Sequence, residues 1–257
     1  MPKVLEEILE LNAMKSYPKE INYLGDLELL SRKKISIIGS RKPTKYSREM
    51  TQKLSQALSK AGVCVVSGGA MGIDAIAHNG ATPSNTIAVL PCGVDVRYPA
   101  VNKNLLSDIQ NQGLLLSQFE DASKARPYTF VLRNEVVVAL GDVLVVGEAE
   151  LDSGSMRSVE FALKMKKDIY VFPQRIGESG ATNELLKNNQ AQAIYDIEEF
   201  VATFSGQEIN ETIGDDFTEF CKTNPTYEEA LQKFPARVFE AELNGEIEIR
   251  NAVVYPA

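Results

Sequence analysis

Short apolar runs rich in β-branched residues alternate along this chain with stretches whose apolar residues recur at helical spacing, and this alternation constrains the fold more than any other feature. The runs are Ile35–Ile38, Val63–Val66, Thr86–Leu90, Leu114–Leu116, Val143–Val146 and Ile169–Phe172. They are nearly continuous in apolar character, so both faces of each need cover, which is the situation of a parallel sheet with helices on either side. Between the first two, Ser47–Ala61 carries Met50, Leu54, Ala57, Leu58 and Ala61 at helical spacing, and Gly62 stops it. Val101–Gln112, Arg133–Leu140 and Ser155–Lys166 read in the same way. The predicted class is α/β, a doubly wound and mainly parallel sheet over residues 34–205.

The flanks differ. Residues 1–33 form a short N-terminal helical or extended segment, with Met1–Lys15 patterned as an amphipathic helix. Residues 206–216 are polar and acidic, as in a linker, and 217–257 read as a small α+β domain. Its helices are expected at Phe217–Lys222, at Tyr227–Phe234 behind a Thr226/Glu229 capping box, and from Pro235 onward. Asn244-Gly245 and Asn251-Ala252 then punctuate a hairpin, which completes a winged-helix-like plan.

Charge divides the chain more sharply than composition does. Ser31 to Lys60 holds nine cations against the single acid Glu49, a local +8 inside a chain of net −8. From Gly206 to Ala257 eleven acids face four bases, leaving −7. A surface of that sign repels phosphate, so the C-terminal domain is expected to contact protein rather than DNA.

Several chemistries are disfavoured at once. No apolar run approaches roughly eighteen residues, so no membrane insertion is expected, and Met1–Lys15 lacks the cationic start of a signal peptide, which points to the cytoplasm. Cys64, Cys92 and Cys221 are far apart and in no metal-type spacing, and one histidine, His78, cannot supply a zinc cluster or a triad network. No metal site is therefore assigned, and an enzyme reading would need carboxylates or lysines. The absence of Gly-x-x-x-x-Gly-Lys-Ser/Thr, and of Gly-x-Gly-x-x-Gly after the first strand, also removes support for P-loop hydrolysis and for ordinary dinucleotide binding.

Four loops fall at the carboxyl ends of predicted strands, where an open sheet binds its ligands. They are Gly39-Ser40-Arg41-Lys42, Ser67-Gly68-Gly69 with its continuation to Asp74, Pro91–Asp95, and Ser153-Gly154-Ser155 at a helix start. Glycines and successive amides there suit an anion. A further segment, Arg126 to Asn134, mixes the cations Arg126 and Arg133 with Tyr128, Phe130 and the amide of Asn134, the combination by which unpaired bases are stacked and phosphates held. Packing of Tyr128 in the core, and pairing of Arg133 with Glu135 or a surface acid, is the plain alternative. Asp95 and Glu148 form a second alternative, a pair of rim carboxylates in a nucleoside-monophosphate phosphoribohydrolase-like enzyme, although the Pro-Gly-Gly-x-Gly-Thr-x-x-Glu signature of such enzymes is missing. A nucleotide-sensing module is a third.

Tyr17-Pro18, Tyr23–Leu30, Ile38-Gly-Ser-Arg41, Ser67-Gly-Gly, Gly72-Ile-Asp74, Val94–Pro99, Phe130-Val-Leu-Arg-Asn134, Ser153-Gly-Ser155 and Ala181-Thr-Asn183 together resemble the DNA-processing protein A (DprA/Smf) family over roughly Tyr17 to Phe204. The resemblance implies an extended Rossmann-like domain that binds single-stranded DNA, forms a homodimer, protects incoming DNA in natural transformation and competence, and helps load the RecA recombinase during DNA recombination, without catalysis or cofactor. It also implies phosphate contacts at Gly39, Ser40, Arg41 and Lys42 and at Ser67, Gly68 and Gly69. Phe130 is implied to meet a base, with Arg133 and Asn134 closing the pocket, Ser153, Gly154 and Ser155 lining its far side, and Arg126 as a second cation. Many members carry arginines where this chain has Met71 and Glu135, and a proline-glycine where it has Pro173-Gln174. The N-terminal helical domain of longer members is expected to be missing or reduced to a few turns.

Overall fold

The computed structural model describes residues 1–4, 6–205, 216–243 and 246–256. The chain divides into two compact units, Met1–Gln207 and Glu208–Ala257.

In the first unit, β1 (Asn22–Gly25), β2 (Lys34–Ile38), β3 (Cys64–Ser67), β4 (Thr86–Val89), β5 (Leu114–Ser117), β6 (Val143–Val146), β7 (Ile169–Val171) and β8 (Gln192–Ala193) form one sheet in the order β1-β5-β4-β3-β2-β6-β7-β8. Every pairing is parallel except that of β1 with β5, which is antiparallel with Asn22 opposite Ser117. Starting at β2 the chain builds outward through β3, β4 and β5, then returns to β6 on the other side of β2. The order therefore reverses between β2 and β6, the crevice position of a doubly wound sheet.

The helices are α1 (Lys45–Lys60), α2 (Ile73–Ala81), α3 (Lys103–Gln112), α4 (Pro127–Leu140), α5 (Ser155–Lys164), α6 (Gly180–Lys187) and α7 (Ile197–Ser205). Strand residues alternate between two cores, as a pleated sheet requires. Ile35, Ile37, Val65, Val143 and Val145 pack with Leu54 and Leu58 of α1, Ile73 and Ala77 of α2 and Phe200 of α7. Ile38, Val66, Leu144 and Val146 pack on the other face with Val136–Leu140 of α4, Val159 of α5 and Leu185 of α6. Leu106 and Ile109 of α3 cover Ala88 and Leu115 in a third cluster.

Three expectations are corrected. Helix α4 begins at Pro127 rather than Arg133: proline occupies its first turn, and the Thr129 hydroxyl accepts from the Arg126 amide at 2.9 Å. Tyr128 is 59% exposed, not packed in the core. The N-terminal stretch is not a helix but an extended piece with a 3₁₀ turn at Leu9–Ala13; Lys3 bridges Asn22, and Ile8, Leu11, Ile21 and Leu29 join the α4 core. Its apolar periodicity is used against the sheet, and an isolated short helix has too little intrinsic stability to resist that. The expected 206–216 linker, apart from Asp216, and the Asn244-Gly245 turn lie outside the described residues.

The second unit contains α8 (Asp216–Cys221), α9 (Tyr227–Lys233), α10 (Pro235–Leu243) and a hairpin of β9 (Ile247–Arg250) with β10 (Val253–Pro256). Phe217, Cys221, Ala230, Val238, Ala241, Ile247 and Val254 form its core. The Thr226 hydroxyl accepts from the Glu229 amide, and the Glu229 carboxylate accepts from the Thr226 amide, closing the capping box.

Candidate nucleic-acid interface

The loop after β2 and the turn into α5 after β6 face each other across the switch point, and α4 closes the third side. Between them lies a cavity of 640 Å³ lined by Gly39, Ser40, Arg41, Phe130, Arg133, Asn134, Ser153, Gly154 and Ser155, together with Glu150, Arg157 and others. Nine of the fourteen residues singled out from the sequence thus meet in one groove. The Gly39–Lys42 loop is fixed on both sides: the Ser40 amide donates to the Glu148 carbonyl at 2.8 Å, and the Ser40 carbonyl accepts from the Ile73 amide at 3.0 Å. Gly39 allows this approach, since a Cβ there would lie 2.7 Å from Ile73 Cγ1 and 2.9 Å from the Glu148 carbonyl. The Ser40 hydroxyl accepts from the Lys42 amide at 3.1 Å, leaving the exposed Arg41 and Lys42 side chains to solvent.

The other five are placed differently. Lys42 and Arg126 are exposed, but neither lines the groove. Ser67 is fully buried, and its hydroxyl donates to the Ile37 carbonyl at 2.6 Å, so it serves the sheet. Gly68 lies beneath Arg133: a Cβ on it would fall 1.0 Å from Nη1. Gly69 is buried, and its carbonyl accepts from Asn102 Nδ2 at 3.0 Å. The Ser67–Gly69 loop therefore supports Arg133 rather than lining the groove beside it.

Arg133 differs from both readings of the sequence. Only 4% exposed, it pairs with Asp74 rather than Glu135, at 3.6 Å from Oδ2. Glu135 instead accepts from the Lys15 amide. Burial pushes the Asp74 carboxyl above its ordinary value, against the Arg133 guanidinium and the Ala70 amide, and burial lowers Arg133. Arg133 Nε and Ser153 Oγ are buried and make no hydrogen bond among the described residues. A charged donor and a hydroxyl buried beside the groove are thus left without a partner among the described residues.

Phe130 stands between two guanidinium groups, Arg41 Cζ at 5.4 Å and Arg133 Cζ at 6.0 Å from its centroid. Tyr98 meets Phe130 edge to face at 5.9 Å, in a small pocket that Arg41 and Arg133 line together with Met71, Pro91 and Pro99. That pocket encloses 30 Å³, room for about one water, so a base would stack at its mouth rather than enter. Tyr98 is a residue that sequence reasoning passed over; it lay inside the quoted Val94–Pro99 motif, but nothing local ties it to Phe130. The rim carboxylates proposed as a pair are engaged elsewhere. Glu148 accepts from the Thr44 amide and hydroxyl, each at 2.8 Å, and Asp95 from the Ala122 amide. His78 is buried and donates from Nδ1 to Thr86 Oγ1, whose own proton goes to the Val65 carbonyl.

The family model of DNA recombination-mediator protein A matches residues 2–205. This chain belongs to that family. Among its curated relatives, Protein Smf of Synechocystis is 36% identical over 67% of this chain and 43% of its own length. DNA processing protein DprA of Streptococcus pneumoniae is 34% identical over 65% of this chain and 60% of its own length. The chain therefore spans between two fifths and two thirds of these two relatives. Of the solved structures, DNA processing protein A of Helicobacter pylori, studied for its mode of single-stranded DNA binding, is 40% identical with a TM-score of 0.77, covering 79% of this chain and 94% of that one. The S. pneumoniae structure is 31% identical with a TM-score of 0.73, over 79% and 74%. The family read from the sequence motifs is the family found, and the α/β class with a large, mostly parallel sheet agrees with these structures. Among the described residues no helix is long and apolar enough to cross a membrane.

Proposed function

We propose that the first unit binds single-stranded DNA in the switch-point groove, in the DNA-processing role that its relatives' names carry. The observation that carries the reading is the pairing in one groove of exposed Arg41 and under-satisfied Arg133 with Phe130 between them. Phosphate oxygens are acceptors for the exposed Arg41 guanidinium, and an unpaired base offers a face to Phe130. Ser40, Asn134 and Ser153–Ser155 at the start of α5 complete the phosphate side. Neither Asp95 nor Glu148 is free for acid–base work, which favours binding without catalysis over the phosphoribohydrolase reading.

The same reading includes a homodimer, protection of incoming strands in natural transformation, and delivery of those strands to the RecA recombinase. In the second unit Lys222, Arg237 and Arg250 each pair with an acid and Lys233 lies 4.3 Å over Phe220, so its acidic excess has no opposing cation left to offer phosphate. That unit is assigned to protein contact.

The experiment is a competition between single and double strands, followed by a salt titration of Arg41→Ala. Single strand wins the competition, and the variant loses about 0.7 from the slope of log affinity against log salt, one phosphate's worth. An Arg41→Ala titration that overlays wild type removes the proposal.

A further inference from the structure

The groove's cationic loop does not end at the rim. β2 and β3 are consecutive and parallel, so α1 must carry the chain from the carboxyl edge, where Arg41 and Lys42 sit, back to the amino edge. Its sixteen residues span about 24 Å. Ser47, Thr51, Leu54, Ser55 and Leu58 face inward. At 100° per residue, Lys45, Lys53 and Lys60 fall on the opposite side, while Arg48, also exposed, lies on the flank of the helix near its start. Glu49 is the one acid on that side, and Lys45 already pairs with it at 3.7 Å. Arg48, Lys53 and Lys60 form no ion pair among the described residues, and neither do Arg41 and Lys42. Unneutralised cations thus follow the groove along the exposed side of one helix, Arg48 on its flank and Lys53 and Lys60 on its outer face. The cation row adds little to packing, since these side chains are in solvent, and like charges along one helix cost it stability rather than add to it.

We infer that the outer face of α1 is a second binding track, taking the sugar-phosphate backbone of the single strand as it leaves the groove through Arg48, Lys53 and Lys60. This rests on the groove reading above and extends it: the groove engages bases and a few phosphates, and the helix engages the flanking backbone without regard to sequence. A polyanion is the only partner such a face suits, because it lacks apolar anchors apart from Tyr46 near its start. Affinity should consequently grow with strand length beyond what fills the groove.

The test uses the full chain carrying Arg48→Gln, Lys53→Gln and Lys60→Gln together, since glutamine keeps helix propensity on an exposed face. Binding is measured to two oligothymidines, one of roughly 6 nucleotides and one of roughly 30, from 50 to 200 mM salt. For the long strand the variant's salt slope falls by about 2, so across that range wild-type affinity drops roughly 15- to 20-fold more than the variant's. For the short strand the two proteins coincide. Equal slopes on the long strand, or an equal loss on both lengths, overturns the inference. So does a variant that binds the long strand like wild type but no longer binds anionic phospholipid vesicles, which would make the face a membrane surface. Arg41→Ala run alongside weakens both lengths; if it weakens neither, the groove reading fails, whereas failure of the triple variant alone fails only the track.

Discussion

Replacing Arg133 by alanine removes the cation that faces Asp74 inside the protein. Asp74 is 5% exposed, and beyond Arg133 it keeps the Ala70 amide at 3.3 Å and the Gly68 amide. Breaking one member of a buried pair costs about 3–5 kcal/mol, because the survivor is left charged where it is poorly solvated. That is a large share of the roughly 5–15 kcal/mol by which a domain is stable. The loss carries a pH signature. Burial already holds the Asp74 carboxyl above its ordinary 3.8, and removing the opposing guanidinium lets it rise further. A carboxyl whose folded pKa exceeds its unfolded one destabilises at pH above the folded value, and the penalty disappears as pH falls through that value towards 3.8. Guanidinium unfolding should therefore show Arg133→Ala about 3–5 kcal/mol below wild type at about pH 7.5, with the deficit shrinking by up to about 1.4 kcal/mol per unit as Asp74 protonates. The pair Arg133→Met with Asp74→Asn should recover most of the loss, since an uncharged pair of similar volume avoids the stranded charge. A single variant within 1 kcal/mol of wild type, or a deficit flat in pH, would refute the buried-pair reasoning and return Arg133 to a purely ligand-facing role.

Other outcomes follow from the same geometry. Tyr98→Ala and Phe130→Ala should each weaken single-strand binding by about 1–3 kcal/mol, with Tyr98→Phe close to wild type in a fluorescence-anisotropy titration; an unaffected Tyr98→Ala would take that ring out of the track. Gly68→Ala should destabilise by about 1–3 kcal/mol in thermal or chemical unfolding, because its methyl occupies the place of the Arg133 guanidinium. His78, held neutral, has its pKa depressed by burial from 6.5 to about 3, so the unfolded chain binds the proton more readily between those values. Stability should then fall as pH drops below 6.5, by about 1.4 kcal/mol per unit from this group until its folded value is reached, and His78→Asn should lack that component of the acid limb.

The sheet was legible because its strands are continuous apolar runs ending in small or polar loops, and the switch-point groove follows from strand order once β2 and β6 are neighbours. Asn22–Gly25 gave no such signal: β1 is a short antiparallel strand held by pairing with Leu114–Ser117 and by the bridge from Lys3, contacts remote in sequence. Pro127 was a usable helix start for α4, yet the aromatic and cationic residues after it looked like a binding loop. They are both, since the first two turns of α4 put Phe130, Arg133 and Asn134 on the groove. The roles of Ser67, Gly68 and Gly69 were not recoverable locally. Which side chain covers a glycine loop depends on what a distant helix places above it, and here that side chain is Arg133.

Met71 and Glu135 stand where the family resemblance implies arginines, and both bear on the proposed DNA groove. Glu135 places a negative charge next to Asn134 in sequence, but its carboxylate is turned to the Lys15 amide and it does not line the groove. It therefore subtracts little from the potential there. Met71, 43% exposed, lines the small pocket with Tyr98 and Phe130, where an apolar side chain widens the stacking surface instead of adding a cation. With Arg133 bound to Asp74, Arg41 is the groove's one exposed cation next to Phe130, since Arg157 pairs with Glu160 at 3.0 Å. On the proposed reading, binding at the rim then depends steeply on Arg41, with the unpaired cations of α1 as the further positive charge. A chain with a net charge of −8 can hold a polyanion on these terms because much of its acidic excess lies in residues 206–257, and the phosphate meets a local +8.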